Sequence, residues 1–314
     1  MARRVRPAAV ELIGVQATAV AAPPAPRLTG ALRSLTSRYA ILAWTGAAWL
    51  LLWFVVPVVW MIWELIGNQE FQDTLSFTGA ERTVNLRALR NTFETSAITT
   101  LLCLVGGYIV AYFLVNVGPR VRIILMALVL IPYWVSIIIR TYGLIVALGR
   151  KGIVNEALID LGLISEPLRM VFTTNAMYLG LVQILLPYVV LTVYTSLEAI
   201  DKNLFTAARS LGAGGWGVFR RVTLPLSLPG VYAGGIIVFI ITLGAYVTPA
   251  LIGGPGDIMI AQLVWINVTE FGAFGTAIVL ILPLIVITMV LFVVFNRFVG
   301  VDKMLGAGGA RGQR

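Results

Sequence analysis

The stretch TAARSLGAGGWGVFRRVTLP, residues 206–225, is a polar segment in a largely apolar chain. It carries three arginines and four glycines, and long apolar segments precede and follow it. Charged side chains are costly inside a lipid bilayer, so this stretch is expected to lie outside one. The apolar segments around it decide the fold, and the surface that it contacts decides the function.

The composition of the chain is that of a membrane protein. Of its 314 residues, 59% are apolar and 12% are charged, and the mean hydropathy is +0.93. These values exceed what a water-soluble domain of this size shows. Because a helix needs about 20 apolar residues to cross a bilayer, we predict an all-α polytopic protein with about six transmembrane helices.

Six apolar segments are long enough to cross, at residues 39–66, 93–115, 123–146, 176–197, 231–251 and 273–295. They predict one transmembrane domain over residues 39–298, with a loop at 198–229 that faces the cytoplasm. Residues 1–38 are predicted to form a flexible basic cytoplasmic arm, and residues 299–314 a cytoplasmic tail. Most of the 23 Lys and Arg residues lie on the side that holds both termini, so we expect both termini in the cytoplasm.

The residue types present argue against several functions. The chain has no histidine and a single cysteine, Cys103, which removes common catalytic bases, a disulfide framework and a thiolate metal site. Its lysines, Lys151, Lys202 and Lys303, do not occur in a phosphate-binding GxxxxGK[ST] sequence. The net charge of +9 follows from the topology, so nucleic-acid binding is not indicated. We therefore expect no catalytic residue, bound metal or bound nucleotide on this chain.

The first part of the polar segment predicts a short helix with two distinct ends. Asp201 is placed to cap a helix that begins at Lys202, and Gly212 stands where a helix ends in a left-handed conformation. An apolar stripe follows from the i, i+4, i+7 spacing of Leu204, Ala208 and Leu211. A helix of this kind can lie on lipid headgroups or dock into another protein.

The second part of the segment predicts another helical turn. Trp216 and Phe219 fall at i and i+3, with two arginines beside them. Pro225 and Pro229 are expected to stop this turn and to set the angle at which the fifth span begins.

The order of residues in this loop resembles that of the "EAA" loop of permease subunits in bacterial ATP-binding-cassette importers. The matching features are Ala207 and Ala208, then Gly212, then nine residues, then Val222, Thr223, Leu224 and Pro225. The resemblance implies a type I ABC importer transmembrane domain whose loop seats in a cleft of a cytoplasmic ATPase subunit. The leading glutamate of the family motif is Thr206 here, so a contact made by that carboxylate is not expected.

Three further stretches resemble the spermidine/putrescine-type permeases: residues 131–163, 190–213 and 248–264. The resemblance implies import of a polyamine or a similar solute across the bacterial inner membrane. It also implies a second permease subunit, two ATPase subunits that bind ATP and Mg²⁺, and a periplasmic solute-binding protein. The ATPase contact would involve Leu204, Thr206, Ala207, Ala208, Leu211, Gly212, Trp216, Phe219, Leu224 and Pro225.

An autonomous carrier driven by an ion gradient is the alternative function. Such carriers place ionisable groups at mid-membrane, and these spans are almost free of them. Glu94 is an exception, and with Asn91 it is expected to form an N-terminal capping pair. Arg140, near the outer end of the third span, can either extend to the interface or take part in gating or packing.

The solute pathway is the least defined part of the sequence. Aromatic faces and carboxylates near the outer side attract cations. Polar side chains within the spans either line a pathway or serve only helix packing. The candidates are Gln183, Tyr246, Thr248, Asp257, Trp265 and Glu270.

Overall fold

The computed structural model describes residues 44–46, 48–63 and 80–299, and these form helices without a β-strand. The predicted arm at 1–38 and all of the predicted tail except Val299 lie outside the described residues. Helix α1 (Trp44–Trp63) lies within the predicted first span and is long and apolar enough to cross a membrane. Its Trp49 and Trp53 rings meet edge to face, with ring centroids 5.9 Å apart.

The remaining described residues form eleven further α-helices. A 3-10 turn (Ile131–Trp134) follows α3, and a π-helical turn (Phe219–Thr223) joins α8 to α9. The helices are α2 (Ala80–Asn116), α3 (Pro119–Leu130), α4 (Ile137–Leu148), α5 (Ile153–Asp160), α6 (Thr174–Glu198), α7 (Lys202–Ser210), α8 (Gly215–Val218), α9 (Leu224–Leu243), α10 (Val247–Ile252), α11 (Ile260–Thr269) and α12 (Phe274–Val299).

Helices α2, α6 and α9 form the centre of the fold. Between them lie the fully buried side chains of Leu114, Val189, Val193 and Val238. The helices approach closely at Gly107, where an added Cβ would lie 2.7 Å from Val189 Cγ1. Small residues permit such close packing of transmembrane helices, where van der Waals contact supplies much of the attraction.

The predicted span over 123–146 is not one straight helix, because the chain bends there by 103°. Helix α3 ends at Leu130, and Val135 then takes an extended backbone conformation before α4 begins. Pro132 lies in the intervening turn, where it cannot donate the hydrogen bond that a continuous helix needs. Five helices among the described residues are therefore long and apolar enough to cross a membrane, or six if this bent pair is one span.

The fifth span also differs from its predicted bounds of 231–251. Helical structure runs from Gly215 to Leu243, so Pro225 and Pro229 do not stop it, and that prediction is wrong. Pro225 comes directly after the π-helical turn, and packing of neighbouring helices tolerates the missing N–H groups of Pro225 and Pro229. At the other end α9 stops before Gly244, and α10 is a separate short helix.

The fourth and sixth spans are confirmed as α6 and α12, and the second as the much longer α2. Because α2 begins at Ala80, Asn91 and Glu94 lie inside a helix and the predicted capping pair is wrong. Glu94 instead forms an exposed ion pair with Arg90, with Nε and Oε2 3.5 Å apart.

Candidate coupling site

Helix α7 has the two ends that the sequence predicts. The Oδ1 atom of Asp201 accepts a hydrogen bond of 2.9 Å from the N–H of Asn203, which caps the helix start. At its end, Gly212 has a φ of 82°, its N–H donates to the Arg209 carbonyl, and the Ala213 N–H donates to the Ala208 carbonyl. This pair of bonds is a Schellman motif, which needs a residue in the left-handed region and therefore favours glycine.

One face of α7 presents apolar side chains at the surface. Leu204 is 45% exposed and Leu211 is 89% exposed, while Ala208 is half-buried. Ala207 lies exposed near the same face, where its small side chain leaves the backbone accessible. Exposed leucines on a helix whose other residues are mostly polar mark a surface suited to contact with another protein.

The opposite face of α7 carries Lys202, Thr206 and Arg209, which are spaced at i, i+4 and i+7. Thr206 therefore lies away from the apolar stripe, although both were predicted to lie in the ATPase contact. Its side chain lines a cavity between α7 and the rest of the fold. The two faces of α7 thus offer different contacts.

Phe219 connects the loop to the centre of the fold. Its half-buried ring meets Tyr108 and Tyr112 of α2 edge to face, with centroids 6.0 and 5.6 Å apart. The Tyr108 hydroxyl also lies 3.0 Å from Ser227 Oγ in the first turns of α9. Trp216 stacks on the outer side of Phe219 at 5.4 Å and stays 73% exposed. Of these two predicted contact residues, therefore, Phe219 packs inward and Trp216 remains on the surface.

The last two predicted contact residues lie where the loop becomes α9. Leu224 is half-buried and Pro225 is exposed in the first helical turn. The π-helical turn places the Leu224 N–H against the Phe219 carbonyl, so helical hydrogen bonding continues from the loop into the span. The loop and α9 are thus one continuous element.

Arg122 braces the same end of the fold, and it was counted in the sequence analysis only for its charge. Its Nη1 lies 2.9 Å from Glu198 Oε1 at the end of α6. Its Nε donates to the Leu114 carbonyl at 3.1 Å and its Nη2 to the Val115 carbonyl at 3.2 Å, both in the last turn of α2. The position of Arg122, soon after the C-terminus of α2, could have predicted this role, because cationic side chains bind the unpaired carbonyls at the end of a helix.

The N-terminal part of α2 is held by hydrogen bonds to the segment between α10 and α11 and to the first residue of α11. The Asn91 side chain donates to the carbonyls of Gly256, at 2.7 Å, and Ile258, at 3.1 Å. The buried Thr92 hydroxyl accepts a bond of 2.9 Å from the Ile260 N–H. These polar groups serve the packing of α2 against α11.

The structure brings together only some of the predicted pathway residues. Tyr246 and Trp265 stack with centroids 5.5 Å apart. Thr248 is buried, with its hydroxyl 3.4 Å from that of Thr141. Asp257 accepts hydrogen bonds from the Thr174 hydroxyl and the Gly254 N–H, so its carboxylate holds a loop.

The other predicted residues lie apart from this aromatic pair. Gln183 is exposed on α6, and Glu270 is exposed just after α11. Arg140 lies in the first turn of α4, and its Nε and Nη1 atoms are buried without a hydrogen-bond partner among the described residues. Its role in gating or packing stays a prediction.

Comparison with known proteins gives the family. The family described as "binding-protein-dependent transport system inner membrane component" matches residues 103–301, which is more than half of the chain. Escherichia coli PotB, a spermidine/putrescine transport system permease protein, is 38% identical over 206 residues, which cover 65% of this chain and 74% of PotB. Escherichia coli YdcU, an inner membrane ABC transporter permease protein, is 29% identical over 286 residues, covering 82% and 87% of the two chains.

Solved structures share the fold. A chain of a bacterial ABC transporter for import of the polysaccharide alginate has a TM-score of 0.71 at 18% identity, covering 87% of this chain and 98% of that one. A chain of the MetNI methionine ABC transporter has a TM-score of 0.54 at 19% identity, covering 71% and 98%. The present chain belongs to the binding-protein-dependent inner membrane transport family. It is a multi-pass permease subunit of an ATP-binding-cassette importer.

Proposed function

We propose that this permease subunit imports a polyamine or a similar small organic cation, using ATP hydrolysed by a separate cytoplasmic subunit. The arrangement of α7 is the observation that supports coupling to the ATPase. Leu204 and Leu211 lie at the surface, while Phe219 holds the loop against α2. An exposed apolar face on a braced loop suits a part that receives force from a partner protein.

The proposed path of that force follows the contacts around the loop. Closure of the ATPase subunits displaces α7 through its apolar face. The continuous helix from Gly215 to Leu243 carries the displacement into the membrane, and the Phe219 ring passes it to α2. The Arg122–Glu198 pair keeps the ends of α2 and α6 together, so the three central helices move as a unit.

The proposed assembly follows the family. A second permease subunit, two ATPase subunits with bound ATP and Mg²⁺, and a periplasmic solute-binding protein complete the importer. In support, the similar solved structures include the MetNI transporter and an alginate transporter in complex with a periplasmic protein. Both termini and the 198–229 loop would face the cytoplasm, as the distribution of Lys and Arg predicts.

The proposed solute class rests on the spermidine/putrescine permeases among the relatives. The stacked Tyr246 and Trp265 rings offer aromatic faces that attract an ammonium group, and Trp265 is 44% exposed. The exposed carboxylate of Glu270 lies apart from these rings, at the residue that follows α11, and adds a negative charge that attracts cations. A polyamine has both the charge and the slender shape to use such contacts.

Reconstitution in proteoliposomes tests this function. The full-length chain would be combined with its partner permease, the ATPase and the binding protein, and uptake of labelled spermidine and putrescine would be followed. We expect uptake only when all components and ATP are present. Uptake by this chain alone, driven by an ion gradient, would overturn the coupling proposal. ATP-dependent stimulation by another solute, with no response to either polyamine, would overturn the solute class alone.

A further inference from the structure

A cavity of about 390 Å³ separates α7 from the ends of the central helices. Tyr112 and Asn116 of α2 line one side of it, and Lys202, Thr206 and Arg209 of α7 line the other. This is the face of α7 opposite to Leu204 and Leu211, so the cavity is separate from the proposed ATPase contact.

The cavity carries two positive charges without a negative one. Lys202 and Arg209 each lie about one helical turn from Thr206, and none of the lining residues is acidic. The two neighbouring carboxylates are already used, since Asp201 caps α7 and Glu198 pairs with Arg122. Lys202 and Arg209 take part in neither of the two ion pairs of the described residues.

The lining groups match the chemistry of a phosphate. Arginine binds phosphate oxygens through two parallel N–H bonds, lysine adds a point charge, and the Thr206 hydroxyl can donate a further bond. The Asn116 side-chain amide donates one N–H to the Tyr112 carbonyl at 2.7 Å, and its second N–H can donate to a phosphate oxygen from the α2 side of the cavity.

The position of the cavity favours a lipid as the source of that phosphate. The cavity lies where α2 and α6 end and the helix through α9 begins, beside the rings of Tyr112 and Phe219. Aromatic rings at the ends of spans sit at the level of lipid headgroups, and basic side chains there attract anionic lipids.

We propose that this cavity binds the phosphate group of an anionic phospholipid from the cytoplasmic leaflet. The choice of leaflet rests on the cytoplasmic orientation given above. A phosphate held by Lys202 and Arg209 bridges α7 to the end of α2 and steadies the loop on the side away from the ATPase. The anionic lipid then becomes a structural part of the coupling loop.

Native mass spectrometry of the purified full-length chain tests the site without reference to transport. Detergent-solubilised protein would be titrated with phosphatidylglycerol and, in parallel, with phosphatidylcholine. Thr206→Glu places a carboxylate between Lys202 and Arg209, so the chain itself supplies the anion. Thr206→Gln has the same length without the charge and is the matched control.

We expect the wild-type chain and Thr206→Gln to bind phosphatidylglycerol in preference to phosphatidylcholine. In Thr206→Glu the affinity for phosphatidylglycerol should fall about tenfold, the scale of one charge-assisted bond. Thermal unfolding of each variant without lipid confirms that the fold is retained.

The remaining outcomes separate the sources of the anion. If millimolar inorganic phosphate displaces phosphatidylglycerol, and Thr206→Glu weakens the binding of phosphate and of the lipid equally, the cavity is a site for free phosphate. That result would overturn the lipid as its occupant. Equal binding of the two lipids by the wild-type chain, or equal effects of Glu and Gln at position 206, would overturn the proposal. If Thr206→Glu leaves the affinity for phosphatidylglycerol unchanged but weakens binding of the ATPase subunit, Lys202 and Arg209 contact a carboxylate of the ATPase, and the lipid proposal is overturned.

Discussion

The two ends of α2 are held in different ways. Near Tyr112, both ends of α7 are shaped by groups close in sequence, Asp201 with Asn203 and Gly212 with Arg209, and the Phe219 ring joins this region to α2. Near Asn91, the structure depends on hydrogen bonds between residues 165 or more positions apart. The first end can keep its local shape while it moves as a unit, whereas the second is stable only when α2 and α11 stay together. This difference suits a loop that transmits motion and an opposite end that holds the helices.

Arg122 joins three helices at the loop end, so its removal should have the largest effect. We expect Arg122→Ala to lower the free energy of unfolding by about 2–3 kcal/mol, between the values for surface and fully buried pairs. Arg122→Lys keeps the charge but not the planar fork, so it should recover less than half of the loss. Thermal unfolding in detergent measures both. A loss in Arg122→Ala that is no greater than about 0.5 kcal/mol would show that Arg122 does not hold this end of the fold.

Ala208 tests whether the exposed face of α7 docks to a protein. Ala208→Trp should overpack the contact and weaken ATPase binding by about 2 kcal/mol, or roughly 30-fold in Kd. Binding of the purified ATPase to the immobilised permease gives this value, and an unchanged unfolding temperature excludes a general loss of structure. Unchanged ATPase affinity would favour the other interpretation of α7, a helix that lies on lipid headgroups.

Two buried threonines of α2 test whether long-range hydrogen bonds hold the part of the helix near Asn91. Thr92 and Thr99 are both 0% exposed, but the Thr92 hydroxyl bonds to the Ile260 N–H and the Thr99 hydroxyl has no partner among the described residues. Thr92→Val should therefore cost about 1–2 kcal/mol, because it leaves a buried N–H unpaired. Thr99→Val should be neutral or stabilising. Equal losses in the two variants, measured by thermal unfolding, would refute the long-range role of Thr92.

The smallest effect concerns the end of α7. A Cβ added at Gly212 or at Gly214 would meet nothing within 4 Å, so the two positions differ mainly in backbone conformation. Gly212 has a φ of 82° and Gly214 a φ of −66°. Gly212→Val should cost about 1 kcal/mol more than Gly214→Val, because only the first forces a β-branched residue into the left-handed region. Coupled ATPase activity and thermal unfolding of the two variants provide the comparison, and indistinguishable behaviour would contradict it.

Several features of the fold follow from short-range signals, and these were predictable. A continuous apolar run gives α6 and α12, an aspartate before a helix gives the cap at Asp201, and a glycine after it gives the left-handed end at Gly212. Each depends on a few neighbouring residues, so the surrounding fold changes it little. The family resemblance rests on the same local pattern of alanines, glycine and the Leu224–Pro225 step.

Other features depend on groups that are distant in sequence, and these were missed. The apolar run over 123–146 predicts one helix, yet the chain bends by 103° beyond Pro132. The bend was missed because a single proline does not show whether a helix kinks slightly or the chain changes direction. Asn91 reads as a cap until its partners, the carbonyls of Gly256 and Ile258, are known.

The amino-acid sequence by itself determined an all-α membrane protein, its main apolar spans and the two ends of α7, because hydrophobic length and helix caps act over a few turns. Only the tertiary structure decided that Phe219 faces inward while Trp216 stays exposed, that Arg122 joins α2 to α6, and that Thr206 faces a basic cavity. Those properties arise from the approach of separate helices, and the spacing of residues along one helix does not specify which neighbour each face will meet.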